Sequence, residues 1–131
     1  KEGLITAVLK WQAEHGPVRP DAPPDDLRRA SEMLVNNYED FGDAIIRWLA
    51  LEDRIPALGR FIRNGRKQHR DWVERAFPSA LAGLESRAYE RRLDLLVCAA
   101  DVYTWKLLRR DRELSRAETM DAVCELLEAL Q

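Results

Sequence analysis

The residue types best suited to catalysis or metal binding are sparse in this sequence and do not cluster. Its two histidines, His15 and His69, fall in separate predicted helices, and its two cysteines, Cys98 and Cys124, fall inside apolar helical faces. The sequence contains no glycine-rich phosphate loop and no group of cysteines or histidines with metal-ligand spacing. We therefore expect neither an enzyme nor a metal or cofactor. The cysteines are interpreted as small buried hydrophobes in a reducing compartment, with a redox pair as the alternative.

A second set of side chains is aromatic or polar and falls on, or beside, predicted inward faces. His69 lies on the apolar stripe of its helix, and Asp101 stands one turn before Trp105 on another. Pockets for small molecules are mainly apolar and contain a few convergent polar groups. This pattern predicts a cavity between helices, with Gly65 leaving room on the inward side. The predicted ligand-binding residues are Tyr38, Phe41, Trp48, His69, Trp72, Cys98, Asp101 and Trp105.

The same residues have two plainer interpretations. They are also consistent with an ordinary core whose polar groups are satisfied within the protein, or with an aspartate paired across a dimer seam. Burying Asp101 or His69 without any partner would cost several kcal/mol, so a retained polar group needs either protein or ligand contacts. If the pocket exists, we expect a small, largely apolar or aromatic ligand with one polar or cationic group facing Asp101.

These residues must be positioned by helices. The helical periodicity of the sequence indicates an all-α chain of about six helices in a single domain over residues 1–131. Gly16 and Pro17 end the first helix and begin a proline-rich loop, and Pro78 ends the central one. Gly42 is read as a break or kink. The predicted elements are a helix over 2–15, a loop over 16–24, helices over 24–41, 44–51 and 56–78, a short turn over 79–85, and helices over 87–110 and 115–130.

The last two helices predict a homodimer. The helix from Arg87 to about Arg110 is apolar on two sides, so it must be buried on two sides. Ser115 and Glu118 form a capping-box pattern that begins the final helix. We expect this pair to pack against its copy as a dimeric four-helix bundle. The predicted interface residues are Leu93, Leu96, Ala100, Leu107, Met120, Val123 and Leu127.

Charge and composition favour a cytoplasmic protein without membrane or direct nucleic-acid contact. The chain has 131 residues, 46% of them hydrophobic, and a formal net charge of −2. No segment approaches the ~18 uncharged apolar residues of a transmembrane helix. A basic helical face is formed by Arg60, Arg63, Lys67 and Arg70. It is read as a solvated surface, with a polyanion contact as the alternative.

Several short runs of residues form a recognisable pattern. The last helix pair contains DVYTWKLLRRD at 101–111 and LSRAE at 114–118. Upstream stand Gly65-Arg66, His69, Trp72-Val73-Glu74 and, at the start, Lys1-Glu2-Gly3-Leu4. Together these runs resemble bacterial TetR-family transcriptional regulators. The last pair is similar to the C-terminal end of that family, the middle run to its long central helix, and the first to the junction after its DNA-reading helices.

The resemblance implies an effector-binding and dimerisation domain, whose DNA-binding helix-turn-helix would precede residue 1. Such a regulator is a repressor that leaves operator DNA when a small molecule binds, and the helix over 4–15 would couple the pocket to the DNA-reading module. On this basis the chain should dimerise and bind an effector but not bind DNA by itself. A helical homodimeric interaction domain without a small-molecule ligand is the alternative, and a small helical enzyme is the more distant one.

Overall fold

The computed structural model describes residues 3, 4, 7, 10 and 19–131. Of the helix predicted over 2–15, only residues 3, 4, 7 and 10 are described. The start of the proline-rich loop, residues 16–18, lies outside the described residues. In the described part, α1 spans Leu27–Leu49, α2 Pro56–Ala76, α3 Pro78–Leu81 and α4 Ser86–Ala99. After these come α5 at Val102–Lys106, a π-helical turn at Leu107–Asp111 and α6 at Arg116–Glu128.

The all-α prediction is confirmed for residues 19–131, which contain helices and connecting segments but no strand. None of the described helices is both long and apolar enough to cross a membrane. The main core lies between α1, α2, α4, α5 and α6, and it buries Leu34, Val73, Leu96, Trp105 and Leu127 almost completely. A smaller cluster forms where the end of α1 meets the start of α2, around Leu58 and Ile62.

The first described helix is continuous where a break was expected. Asp26 caps α1 by accepting a hydrogen bond from the backbone nitrogen of Arg29 at 2.9 Å, so Pro24 and Asp25 precede the helix rather than begin it. Gly42 lies inside α1 and is buried. The predicted break at Gly42 is therefore wrong, and the segment predicted as a separate helix over 44–51 is mostly the end of α1. A mid-helix glycine costs only about 1 kcal/mol, and here it allows close packing against α5.

The second helix begins and ends as its prolines predict. Pro56 occupies the first turn of α2, where its missing N–H is not needed. Pro78 occupies the first turn of α3, so α2 ends at Ala76. Gly65, predicted to face inward, is instead exposed, and a Cβ built there meets no atom within 4 Å. The buried contacts of α2 lie near its two ends, while residues 63–68 between them are exposed.

The long helix predicted from Arg87 to Arg110 is interrupted at Ala100 and Asp101. The carboxylate of Asp101 accepts from the backbone nitrogen of Tyr103 at 3.0 Å and so caps α5. Thr104 Oγ1 donates to the carbonyl of Cys98 at 2.6 Å, which satisfies a group that a continuous helix would have bonded. A short polar side chain at a helix start competes with helix continuation in this way. The capping box of Ser115 and Glu118 is confirmed at the start of α6.

Candidate functional site

The most distinctive polar arrangement is a half-buried one built around Arg19, in the segment that precedes α1. The centre of its guanidinium lies 4.7 Å from the ring centroid of Trp72 on α2 and 5.7 Å from that of Tyr38 on α1. One guanidinium nitrogen lies 3.1 Å from Nδ1 of His69, and another donates to Oδ1 of Asn37 at 3.3 Å. These distances are typical of cation–π and hydrogen-bonding contacts. We call Asn37, Tyr38, His69 and Trp72 the Arg19 box.

The two aromatic walls of the Arg19 box are held in place by hydrogen bonds. Tyr38 is 4% exposed, and its hydroxyl donates to the carbonyl of Ala100 at 2.7 Å. Trp72 is 3% exposed, and its indole nitrogen donates to the carbonyl of Pro20 at 2.8 Å. Burial raises the pKa of Tyr38 to about 12, with the charge of Arg19 opposing the shift. The tyrosine is therefore a neutral donor at physiological pH, and both rings present fixed faces to the guanidinium.

His69 is the acceptor in this box. Burial, with the positive charge of Arg19 second, lowers the pKa of His69 to about 4, and the backbone of Val97 opposes the shift. A neutral imidazole has one acceptor nitrogen, and because a guanidinium can only donate, that acceptor is Nδ1. Within the described residues, Arg19 Nε and His69 Nε2 are buried without a hydrogen-bond partner. The box thus holds the cation firmly but leaves two polar atoms unsatisfied.

Arg19 reaches the box from a segment that is fastened to the end of α2. Asp21 accepts from Arg75 at 3.0 Å, and the backbone nitrogen of Asp25 donates to the carbonyl of Ala76 at 2.9 Å. The carboxylate of Asp25 also accepts from the backbone and hydroxyl of Ser79. Sequence reasoning missed Arg19 because it placed this arginine in a proline-rich surface loop, and a single arginine in a loop has no periodicity to indicate burial.

Trp105 belongs to the same core as Tyr38, with ring centroids 6.1 Å apart, but it does not contact Arg19. It is 1% exposed, and its indole nitrogen donates to the carboxylate of Glu39 at 3.0 Å. Arg109 donates to the same carboxylate at 3.0 Å, and the guanidinium of Arg110 lies 4.9 Å from the ring centroid of Trp105. A Cβ at Gly42 would overlap the ring. Trp105 is thus enclosed by its own helices and does not line a cavity shared with Trp72.

The remaining predicted ligand residues are dispersed. Trp48 packs edge-on against Phe61, with ring centroids 5.6 Å apart, in the smaller cluster. Cys98 is exposed, and Asp101 is occupied as the cap of α5. Phe41 lines an open depression of about 220 Å³ beside Arg19 and Asn37. Of the eight predicted residues, three contact Arg19, namely Tyr38, His69 and Trp72. Phe41 lines the depression beside Arg19, and Trp105 packs against Tyr38. Trp48, Cys98 and Asp101 lie in other surroundings.

The predicted dimer residues mostly face the chain's own core. Their exposures are Leu93 2%, Leu96 0%, Ala100 2%, Val123 3% and Leu127 0%, so these five side chains pack within one subunit, and their part in a dimer stays a prediction. Met120 is half-buried, and Leu107 is 54% exposed. The exposed apolar side chains on the same helices are Leu95 and Leu126, each 43% exposed. Periodicity marked both sides of these helices as apolar but did not show which side the rest of the chain would cover.

Two of the four residues of the predicted basic face form ion pairs with neighbouring acidic side chains. Lys67 pairs with Asp71 at 2.9 Å, and Arg70 pairs with Asp94 at 2.7 Å and Glu90 at 2.6 Å. Arg60 and Arg63 are exposed. Carboxylates beside the cations weaken the local positive potential, which favours the solvated-surface interpretation over a polyanion contact.

Comparisons with protein-family models, with curated proteins and with solved structures give no match for this chain.

Proposed function

We propose that this chain is the regulatory domain of a TetR-like bacterial transcriptional repressor, a cytoplasmic, non-enzymatic domain that dimerises and senses a small molecule. Operator binding would belong to a separate helix-turn-helix module, and ligand binding would shift the dimer toward the arrangement that releases DNA. The observation that carries the dimeric part is the pair of apolar stripes on α4 and α6. The observation that supports ligand sensing is the Arg19 box, a half-buried polar site in which Arg19 Nε has no hydrogen-bond partner among the described residues.

The apolar stripes follow helical spacing on two helices that contact each other. The stripe on α4 consists of Leu95 and Cys98, which are three residues apart and share one exposed face of the helix. Arg92 of α4 donates to the carbonyl of Leu130, just beyond α6, at 2.8 Å, which ties the two helices together. The matching stripe on α6 and the residue after it consists of Ala122, Leu126 and Ala129.

Charge complementarity favours a second copy of this chain as the partner for these stripes. Exposed Arg87 and Arg91 accompany the stripe on α4, whereas exposed Glu118 and Glu125 accompany the stripe on α6. A two-fold interface brings the same patch of both subunits together, so α4 of one subunit can face α6 of the other. The two-fold axis would then pair basic with acidic side chains twice, around a central contact of Leu95 and Leu126.

Sedimentation velocity at micromolar concentration tests the dimer. We expect a dimer for the unmodified chain and a shift toward monomer for Leu126→Arg, since an arginine would have to be buried in the seam. Leu51→Arg is the matched control, because Leu51 is a 39% exposed leucine far from α4 and α6 in the sequence.

Exchanging charges with Arg91→Glu should weaken association, and adding Glu125→Arg should restore it. A monomeric unmodified chain contradicts the proposal.

The alternative function is a helical homodimeric interaction domain that takes no ligand. The close packing of Trp105 against Gly42 and the occupation of the box by Arg19 favour this alternative, because both fill interior space with the chain's own side chains. A thermal-shift screen separates the two functions, since a ligand that binds only the folded state raises the unfolding midpoint with concentration. A helix-turn-helix encoded before Lys1 in the intact gene, and operator release by such a ligand, would support the regulator.

A further inference from the structure

Arg19 is held as a bound cation would be held, although it belongs to the chain. Its guanidinium contacts two aromatic rings, one neutral imidazole nitrogen and one amide oxygen. Among residues 19–131 no carboxylate forms a salt bridge with it. Most charged side chains placed in an interior are neutralised by an opposite charge. Here the ring faces of Tyr38 and Trp72 lie against the cation in place of a carboxylate. Aromatic rings bind organic cations in the same way in sites that recognise them.

We propose that the Arg19 box is a binding site for a small planar cation of the amidinium or guanidinium class, and that Arg19 is a tethered occupant which such a ligand displaces. This inference rests on the ligand-sensing half of the proposed function and names the chemical class of the ligand. Asn37 Oδ1 and His69 Nδ1 accept from two N–H groups of the bound cation. Tyr38 and Trp72 provide the faces on which its plane lies.

The fit of Arg19 is imperfect in a way that favours an amidinium. Arg19 Nε is buried without a partner among the described residues, and leaving a buried donor unsatisfied carries a desolvation penalty. An aryl amidinium has a carbon at the equivalent position, so it presents no donor there while keeping the two N–H groups that Asn37 and His69 accept. Such a ligand therefore avoids a penalty that Arg19 incurs, and its aryl group adds apolar contact area.

Displacement of Arg19 would be local. Asp21 and Asp25 hold the following segment to the end of α2 through Arg75, Ala76 and Ser79. Those contacts do not involve the guanidinium, so they remain when it leaves the box. The group that moves is therefore Arg19 itself, on the N-terminal side of Pro20, and the proposed DNA-binding module would lie on that same side.

Calorimetric titration with benzamidine and with benzamide, its neutral counterpart of nearly the same shape, tests the inference. The proteins are the unmodified chain, Arg19→Ala, and the control Arg60→Ala, which removes an exposed arginine. Removing the tethered competitor should tighten benzamidine binding by about tenfold or more, because a tethered group competes at a high effective concentration. Arg60→Ala should match the unmodified chain, and Arg19→Ala should bind benzamide at least about tenfold more weakly than benzamidine. Arg19→Gln, which fills similar volume without charge, replaces Arg19→Ala if the latter does not fold.

The inference is overturned if benzamidine binds the Arg19 variant and the unmodified chain equally, or binds none of them. It is also overturned if benzamide binds the variant as well as benzamidine does. That last outcome leaves ligand sensing intact and removes only the requirement for a cation. A monomeric chain in sedimentation, by contrast, would contradict the proposed regulator without affecting the titration, so the two failures are distinguishable.

Discussion

Gly42 on α1 lies directly against the indole ring of Trp105 on α5, and a Cβ at Gly42 would be 2.5 Å from Cζ3 of that ring. Real Cβ atoms do not approach a neighbour so closely, so a side chain here would require the ring or the helix to move. The ring is also held by Glu39 through its indole nitrogen at 3.0 Å. This pair therefore sets the separation of α1 and α5. Gly65 differs from Gly42 in having no neighbouring atom within 4 Å of a Cβ built at its position, so the two glycines can be compared.

Replacing Gly42 by alanine should destabilise the fold, whereas replacing Gly65 should stabilise it. Overpacking a well-packed core typically costs about 1–3 kcal/mol, and Gly42→Ala overlaps a ring that is 1% exposed. Gly65 lies in the exposed middle of α2 with no neighbour within 4 Å, so Gly65→Ala should gain about 0.5–1 kcal/mol from helix propensity. Urea denaturation of both variants measures the difference. Equal effects of the same sign would contradict the assignment of the Gly42 contact.

The stability of the chain should fall as pH falls from about 6.5 toward 4, in part because of His69. Burial lowers the pKa of His69 to about 4 in the folded state, while the unfolded chain has the ordinary histidine pKa of about 6.5. Below that pH the unfolded state binds the proton first, so unfolding becomes easier. The full effect is about 3 kcal/mol, at 1.36 kcal/mol per pKa unit.

Urea denaturation at pH 7, 5 and 4 checks this slope, with His69→Gln as the comparison. Glutamine keeps an acceptor oxygen for Arg19 but does not titrate, so the variant should lose less stability between pH 7 and 4. The lowered carboxylate pKa values of Glu52 and Glu118, caused mainly by hydrogen bonds from Arg66 and the Ser115 backbone, act at lower pH in both proteins. Their contribution cancels in the comparison. Parallel pH profiles would show that His69 titrates normally.

The structure predicts that Asp101 acts as a helix cap and that its charge matters little. Asp101→Ala should cost about 1 kcal/mol, because the backbone nitrogen of Tyr103 loses its acceptor. Asp101→Asn keeps an acceptor oxygen and ranks equally as a cap, so it should stay within about 0.5 kcal/mol of the unmodified chain. Thermal unfolding of both variants decides between the cap and a charge-dependent role. A loss for Asp101→Asn as large as for Asp101→Ala would favour the charge.

Local sequence rules predicted the fold well wherever one residue type decides the outcome. Pro56 at a helix start and the Ser115 and Glu118 capping box were predicted because each satisfies a backbone group within a few residues. The break at Asp101 and the continuity through Gly42 were missed. The continuity through Gly42 depends on a distant residue, since Trp105 packs on it. The break combines the local cap at Asp101 with a distant contact, the hydrogen bond from Tyr38 to the carbonyl of Ala100.

The candidate site was predicted only in part for the same reason. Tyr38, His69 and Trp72 were found because aromatic and polar residues on apolar helical stripes indicate an interior site. Arg19 was missed, although it lies 4.7 Å from the Trp72 centroid, because its position depends on how a loop returns across α2. The side of α4 that is free to face a partner was not predictable either, since periodicity gives two apolar sides and only packing shows which one the chain's own core covers.

The exposed middle of α2 divides that helix into two thermodynamically distinct halves. One half belongs to the main core through Trp72, Val73 and Ala76, whereas the other belongs to the smaller cluster of Leu58 and Ile62. A cluster with so few buried side chains has little free energy with which to resist opening. We therefore expect the turn after α1 and the first turns of α2 to open at a lower free energy than the main core. Opening at that end would leave the contacts of His69 and Trp72 with Arg19 in place, because those two residues lie in the other half of α2.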